Sequence, residues 1–255
     1  MLSKEKITEE LNNLGITPPK IVFYEETDST NTRAKEFAKA RQKGERTSVI
    51  FIANGQSGGR GRLGRCFVSK SGAGIYLSIL TYPTEKAEDA TMATAKAAVS
   101  LSRAVESMCD CKPGIKWVND LYLGGKKLAG ILCEGEIEKE GKMTFQVVGM
   151  GINVYKNSIS DEISDIATSL EGELGRAPNR AKLVAMIIKE FLLSEGDFYS
   201  EYKARSFIIG KEVTVLLPNE SYKAKVIDIN PDFSLKIATE RGVESLFTGE
   251  VSLKI

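Results

Sequence analysis

Residues 55–65 read Gly-Gln-Ser-Gly-Gly-Arg-Gly-Arg-Leu-Gly-Arg. Five glycines in eleven residues do not suit a helix interior or a packed strand, because glycine loses the most backbone freedom on ordering and brings no side chain to pack. The stretch must be a loop, and its flanks decide what it joins. Residues 48–53 before it form a short apolar run, and residues 74–80 after it read Gly-Ile-Tyr-Leu-Ser-Ile-Leu; both have strand character. Extended residues after the glycines exclude a dinucleotide-binding turn, which leads into a helix. The Gly-x4-Gly-Lys-Ser/Thr pattern of a P-loop is absent too. Three arginines and no acid stand in the loop, so forked donors for phosphate or carboxylate sit on a backbone that allows close approach. Two plainer readings compete with an anion cradle: a solvated surface loop and an Arg-Gly contact to nucleic acid.

The rest of the pattern mixes helices with strands. One helix is expected at 4–14 and a strand at 20–26. Asp28-Ser29-Thr30-Asn31 are capping residue types ahead of a helical run at 32–41, with Ala34, Phe37, Ala38 and Arg41 at helical spacing. Pro83-Thr84-Glu85 opens a long helix with Thr84 as its cap and a stripe of Ala97, Leu101, Val105 and Met108. Residues 114–118 and 129–137 are strands, with a tight turn at Gly124-Gly125 between them. Residues 143–154 form a further strand, interrupted by Gly149 and Gly151, and Asn179 caps an amphipathic helix. Beyond about residue 206 the texture changes to short strands at 211–217, 221–230, 233–238 and 243–247. They are punctuated by Pro218-Asn219, Asn230-Pro231-Asp232 and Arg241-Gly242. The expected fold class is α+β: a mixed β-sheet flanked by helices over residues 1–205, and a small C-terminal β-barrel over residues 206–255 that is marginal alone and docks on the larger part.

Composition limits the chemistry. The chain of 255 residues has a net charge of +1, which gives no general affinity for nucleic acid or a membrane surface. No apolar run approaches the roughly 18–20 residues of a membrane helix, and the N-terminus has no signal-peptide core, so cytoplasmic residence is expected. There is no histidine, which excludes Ser-His-Asp and Cys-His hydrolysis and histidine-based metal sites. Cys66, Cys109, Cys111 and Cys133 lack zinc-ribbon spacing and are expected to be free, mostly buried thiols. Any reaction must run on Lys, Arg, Asp, Glu, Asn, backbone dipoles or a bound metal.

Three further segments could carry such a reaction. Lys116-Trp117-Val118-Asn119-Asp120 is followed by Lys127-Leu128-Ala129-Gly130-Ile131. Asn can bond both edges of a purine-like ring and Asp can hold Mg2+, although a strand end with Trp as core filler has equal weight. Gly149-Met150-Gly151-Ile152-Asn153 suggests close approach of backbone or ligand, with a β-bulge as the simpler account. Ser29-Thr30-Asn31 alone reads as a helix cap.

Taken together and in order, Ser29-Thr30-Asn31, residues 59–65 (Gly-Arg-Gly-Arg-Leu-Gly-Arg), 116–120, 127–131 and 149–153 resemble the catalytic domain of biotin protein ligases. The likeness covers about residues 23–154, and the C-terminal barrel suits the family's SH3-like domain. Each motif is moderately specific; five in the right order are strong. Val118 departs from the family's usual Pro, and Phe67 stands where many members have Trp. The roughly 20 residues ahead of the first strand are too few for the DNA-binding helix-turn-helix of some bacterial members, so no DNA partner is expected.

The resemblance implies a class II aminoacyl-tRNA synthetase/biotin ligase-like fold and an ATP-dependent ligase with biotin, ATP and Mg2+ as reactants. Biotin becomes biotinyl-5′-AMP, then passes to a lysine of a biotin carboxyl carrier protein. Lys127 and Arg62 are implied as catalytic. Ser29, Thr30, Asn31, Gln56, Gly59, Arg60, Gly61, Arg62, Lys127 and Gly130 would line the biotin site. Arg62, Arg65, Phe67, Asn119, Lys127 and Asn153 would hold the adenylate, and Asp120 a metal or the incoming carrier lysine. Homodimerisation through the hairpin edge at 135–146 is implied as well. Lipoate or octanoyl-carrier ligation is the alternative within the fold, and a non-catalytic RNA-binding module the alternative outside it. The Arg-Arg-x-Ser-Gly-Gly-Gly signature of the first is missing, and so are the basic, aromatic-interleaved stretches of the second.

Overall fold

A computed structural model describes residues 1–41, 46–83, 89–137, 143–193, 195–217, 220–247 and 252–254. The expected Thr84 cap, the Pro218-Asn219 turn and the tip of the 135–146 hairpin lie outside the described residues. The larger part is a seven-stranded mixed sheet in the order β1-β2-β3-β7-β6-β5-β4. Its strands are β1 (Lys20–Thr27), β2 (Val49–Gln56), β3 (Gly74–Thr81), β4 (Gly114–Lys116), β5 (Asp120–Leu123), β6 (Lys126–Ile137) and β7 (Met143–Asn153). Only β1 and β2 run parallel, and helix α2 (Thr30–Ala40) makes the crossover that a parallel pair needs. Every other neighbouring pair is antiparallel.

Helices cover both faces. On one, α2 closes a small core of Ala34, Val49, Phe51, Leu80, Phe145 and Val147. On the other, α1 (Lys4–Asn13), α3 (Asp89–Cys109) and α5 (Arg180–Leu193) close the main core, which includes Ile50, Ile52, Leu77, Ala97, Leu101, Val105, Leu183 and Ile187. This explains the uninterrupted apolar run at 49–53: a central strand buried on both faces has no solvent side to alternate with. The α+β fold class is as the pattern predicts, and most elements lie within a few residues of their expected bounds. Gly124 and Gly125, both at positive φ, make the β5–β6 turn.

Three departures matter for the site. Helix α2 starts at Thr30, so Thr30 and Asn31 are helical rather than capping; Ser29 takes the cap position without a side-chain capping bond. Register runs unbroken through Gly149–Gly151 on both neighbouring strands, so the glycines mark no bulge. Helices α4 (Leu170–Leu174) and α6 (Phe198–Arg205) have no counterpart in the sequence pattern. The four cysteines are free, but only Cys109 is buried, and Cys66 is exposed.

A five-stranded antiparallel sheet follows, ordered β11-β10-β9-β8-β12, from β8 (Glu212–Leu216), β9 (Ser221–Ile229), β10 (Leu235–Thr239), β11 (Gly242–Leu246) and β12 (Ser252–Lys254). It meets the larger part at the β4–β5 turn, where Trp117 Nε1 donates to Phe233 O at 2.8 Å. From α6, Tyr202 OH donates to Val118 O at 2.9 Å and Tyr199 OH to Ile229 O at 2.8 Å. The Trp117–Val118 peptide is cis. Among the described residues no helix is long and apolar enough to cross a membrane.

Candidate active site

The glycine/arginine segment folds back on itself as a flap over the sheet. Bridges pair Gln56 with Ser69 and Arg60 with Cys66. Gly61 N donates to Arg65 O at 2.7 Å and Phe67 N to Gly59 O at 3.0 Å, around a 3-10 turn at Arg62–Gly64. Gly59 serves this folding and does not line the cavity: a Cβ there would lie 2.2 Å from Phe67 O. The flap, the first turn of α2, the β4–β5 turn and the middles of β6 and β7 enclose a cavity of about 310 Å³.

One part of its wall is neutral and tightly bonded. Gln56 Oε1 accepts from Thr30 N at 2.8 Å and from Thr30 Oγ1 at 3.1 Å, satisfying a donor at the open start of α2. Gln56 Nε2 donates to Ser69 Oγ at 2.8 Å. Ser78 Oγ, fully buried on β3, bonds Thr30 Oγ1 at 2.7 Å and Asn31 Oδ1 at 2.6 Å. Ser29 lines the same region. These groups fix one another's orientation, so the wall presents set donors and acceptors to an uncharged polar ligand.

The other part is cationic. Arg60, Arg62, Arg65, Lys116 and Lys127 line the cavity with Asp120 as their carboxylate, five cations against one anion. Lys127 is the second residue of β6, where its N–H donates to Ile166 O and its carbonyl accepts from Thr168 N, both at 2.9 Å. Its Nζ lies 2.7 Å from Asp120 Oδ1. Gly130 leaves the lane this side chain occupies, since a Cβ there would stand 3.3 Å from Lys127 Nζ. Arg62 Nη1 donates to Asn119 Oδ1 at 3.2 Å, and Asn119 Nδ2 to Ile131 O at 2.9 Å, which ties the flap to the β4–β5 turn. Burial lowers the proton affinity of Lys116, with Asp120 opposing and Lys127 and Arg65 adding to the fall. Burial lowers that of Arg62 in the same way, against Asp120 and with Arg65. In both, loss of water around the cation is the main cause, and an anion drawn into the cavity would oppose it as Asp120 does.

Phe67 lies against the sheet where the strands carry no side chain. A Cβ on Gly151 would come within 2.6 Å of its ring, and one on Gly130 within 3.6 Å. Asn153 stands apart from the cavity: it is buried at the end of β7, and its Nδ2 donates to Thr168 O at 3.2 Å. Through Thr168, whose N–H donates to Lys127 O, Asn153 anchors the segment that fixes Lys127. No group of three or more Cys, Asp or Glu side chains suited to a metal ion occurs among the described residues. Asp120, the candidate metal residue, is paired with Lys127. Lys116 lines the cavity, and Ser69 and Ser78 brace Gln56, Thr30 and Asn31 from behind the wall, without any of the three having been singled out as site residues from sequence. Lys116 stood inside a quoted motif, whereas the two serines carry no sequence signal.

A family model described as the biotin/lipoate A/B protein ligase family matches residues 23–153. The bifunctional ligase/repressor BirA of Bacillus subtilis is 28% identical over 247 residues, 91% of this chain and 74% of BirA. The biotin–[acetyl-CoA-carboxylase] ligase of Mycobacterium tuberculosis is 28% identical over 228 residues, 85% of this chain and 82% of the relative. Among solved structures, the biotin protein ligase from Aquifex aeolicus in complex with biotin and ATP matches with a TM-score of 0.76 at 28% identity, over 92% of this chain and 98% of that one. The matched span contains all five motifs and both parts of the cavity wall, and on it the chain belongs to the biotin/lipoate A/B protein ligase family.

Proposed function

We propose that the protein is an ATP-dependent biotin protein ligase that forms biotinyl-5′-AMP and transfers biotin to a lysine of a biotin carboxyl carrier protein. The observation that carries this reading is a single cavity joining a neutral hydrogen-bonding wall to a five-cation wall. The neutral part suits a ureido ring, and the cationic part suits a carboxylate meeting a triphosphate. Relatives that act on biotin favour it over lipoate, as does the Gly-Arg-Gly-Arg loop.

In the first step a biotin carboxylate oxygen bonds to the α-phosphorus of ATP, and the bond to the bridging oxygen breaks with its electron pair to release pyrophosphate. Two anions must approach, so the chain's part is to screen them. Lys127 leaves Asp120 for the reacting oxygens and stabilises charge as it develops. Arg62 and Arg65 hold phosphates from the flap, Arg60 closes the flap over biotin, and Asn119 and Phe67 take the adenosine half. ATP brings magnesium as part of the substrate. In the second step the carrier amine bonds to the acyl carbon, AMP leaves with the electron pair of the C–O bond, and the new amide sheds a proton. The closed flap shields the mixed anhydride from water in between. Residues 1–205 carry this chemistry, with residues 206–255 as the SH3-like part docked beside it.

Incubation with ATP, Mg2+, biotin and a biotin carrier domain, read by mass spectrometry, tests the reading. One biotin adduct on a lysine is the expected result. An adduct with lipoate but not biotin would give the activity to the other branch of the family, and no adduct with either would overturn ligation.

A further inference from the structure

Glu134 ties together three elements around the cavity without lining it. It stands on β6 with its side chain 20% exposed. Lys35 Nζ of α2 reaches its Oε1 at 2.7 Å, and Asn31 Nδ2 donates to its Oε2 at 2.8 Å. Arg60 Nη2, on the flap, stands 3.6 Å from the same Oε1. Asn31 in turn accepts from Ser78, so the carboxylate continues the neutral network outward to the flap. Burial opposes its ionisation, but the hydrogen bonds from Lys35 and Asn31 and the charges of Lys35 and Arg60 prevail, and its pKa falls below the ordinary value. The reaction proposed above has no use for this carboxylate. A largely buried acid needs a partner, and here the partners come from both the fixed frame and the moving part.

We propose that Glu134 is a positioning residue, the post to which the flap fastens through Arg60, and that Lys35 sets the grip by sharing the same oxygen. The separation of Arg60 from Oε1 suits a flap that must open for substrates and shut over an intermediate. Removing Glu134 frees the flap, whereas removing Lys35 leaves Oε1 to Arg60. This rests on the flap acting as the lid of the ligase cavity, and it extends that reading to a residue outside the five motifs.

Trypsin cleavage at Arg60, Arg62 and Arg65 in the full-length, ligand-free protein reads flap opening whatever the substrate, when closing is fast relative to cleavage. In Glu134→Gln, near-isosteric with the parent, cleavage is expected to be about fivefold faster, the size of a partly exposed ion pair. In Lys35→Met it is expected to be slower than in the parent. Cleavage of Glu134→Gln at the parent rate overturns the proposal. Equal acceleration in both variants also overturns it, because that reports α2 coming loose from β6. Retention of biotinyl-5′-AMP through gel filtration is the second arm, with about fivefold faster release expected for Glu134→Gln. A parent that retains no adenylate while cleavage follows the expected order would sink the ligase reading and leave the fastening intact.

Discussion

Gly149 shows how much a single residue discloses in sequence and how much it hides. Glycine in the middle of a strand announces that something comes close. Only the fold says what: a Cβ at Gly149 would lie 2.1 Å from Asn31 Oδ1, and one at Gly151 would lie 2.6 Å from the Phe67 ring. The approaching groups belong to α2 and the flap, remote in sequence, so from sequence a bulge is the simpler account of the glycines. Asn31 has no freedom to yield, being held by Ser78, Leu132 O and Glu134. Gly149→Ala is therefore expected to lose about 1–3 kcal/mol of stability through overpacking. It is also expected to raise the KM for biotin more than that for ATP, since the neutral wall is displaced. A urea midpoint and the two KM values check it, and an unchanged midpoint would contradict the packing. Lys127→Ala should act differently, with stability kept and biotin-dependent ATP–pyrophosphate exchange slowed by about 100- to 1,000-fold, the scale of a lost charge-stabilising donor. Exchange at the parent rate would remove Lys127 from the first step.

At the scale of elements, legibility followed length and local chemistry. The flap was recognisable because five glycines and three arginines admit little else, and the long apolar faces of α3 and α5 announced themselves by period. Strand β5 did not, because four residues between two turns carry no readable alternation. Yet β5 pairs Asp120 with Gly130 and with Lys116, which brings the carboxylate into the cationic wall. The sequence also gave no sign that the flap is ordered by its own bridges and by Arg62 on Asn119. That contact makes Arg62 a fastening of the flap as well as a phosphate ligand. Arg62→Gly should keep the fold and release biotinyl-5′-AMP at least tenfold faster, an expectation of about 1.4 kcal/mol for one charged hydrogen bond. Quenched release assays of the preformed adenylate would show it, and parent-like retention would remove Arg62 from the lid.

At the scale of the whole molecule, the element that joins the two sheets is α6, which sequence missed because eight residues rich in aromatic and charged types show no apolar stripe. Its inner side fixes the β4–β5 turn through Tyr202, whose ring meets Phe233 edge-on, and Phe233 O takes the Trp117 indole. Its outer side is held to α3 by charge: Glu201 pairs with Arg103 and Arg205, and Arg205 with Glu106. Burial works against Glu201 ionising, but the hydrogen bonds and charges of Arg103 and Arg205 outweigh it, so its pKa in the folded protein falls below the ordinary 4.5. A depressed carboxylate contributes stability that is fully present above its unfolded value and is lost as pH falls through the folded one. The attachment of α6, and with it the β4–β5 turn, should therefore weaken as the solution is acidified below 4.5. Trp117 is the chain's one tryptophan and is buried at the joint, so its fluorescence reports this transition directly. In Glu201→Gln the urea midpoint at neutral pH should drop, and the fall between neutral and acid pH should become shallower, because the group that titrates is gone. Parent and variant curves that run parallel through the acid range would show that the ionisation of Glu201 does not hold the two sheets together.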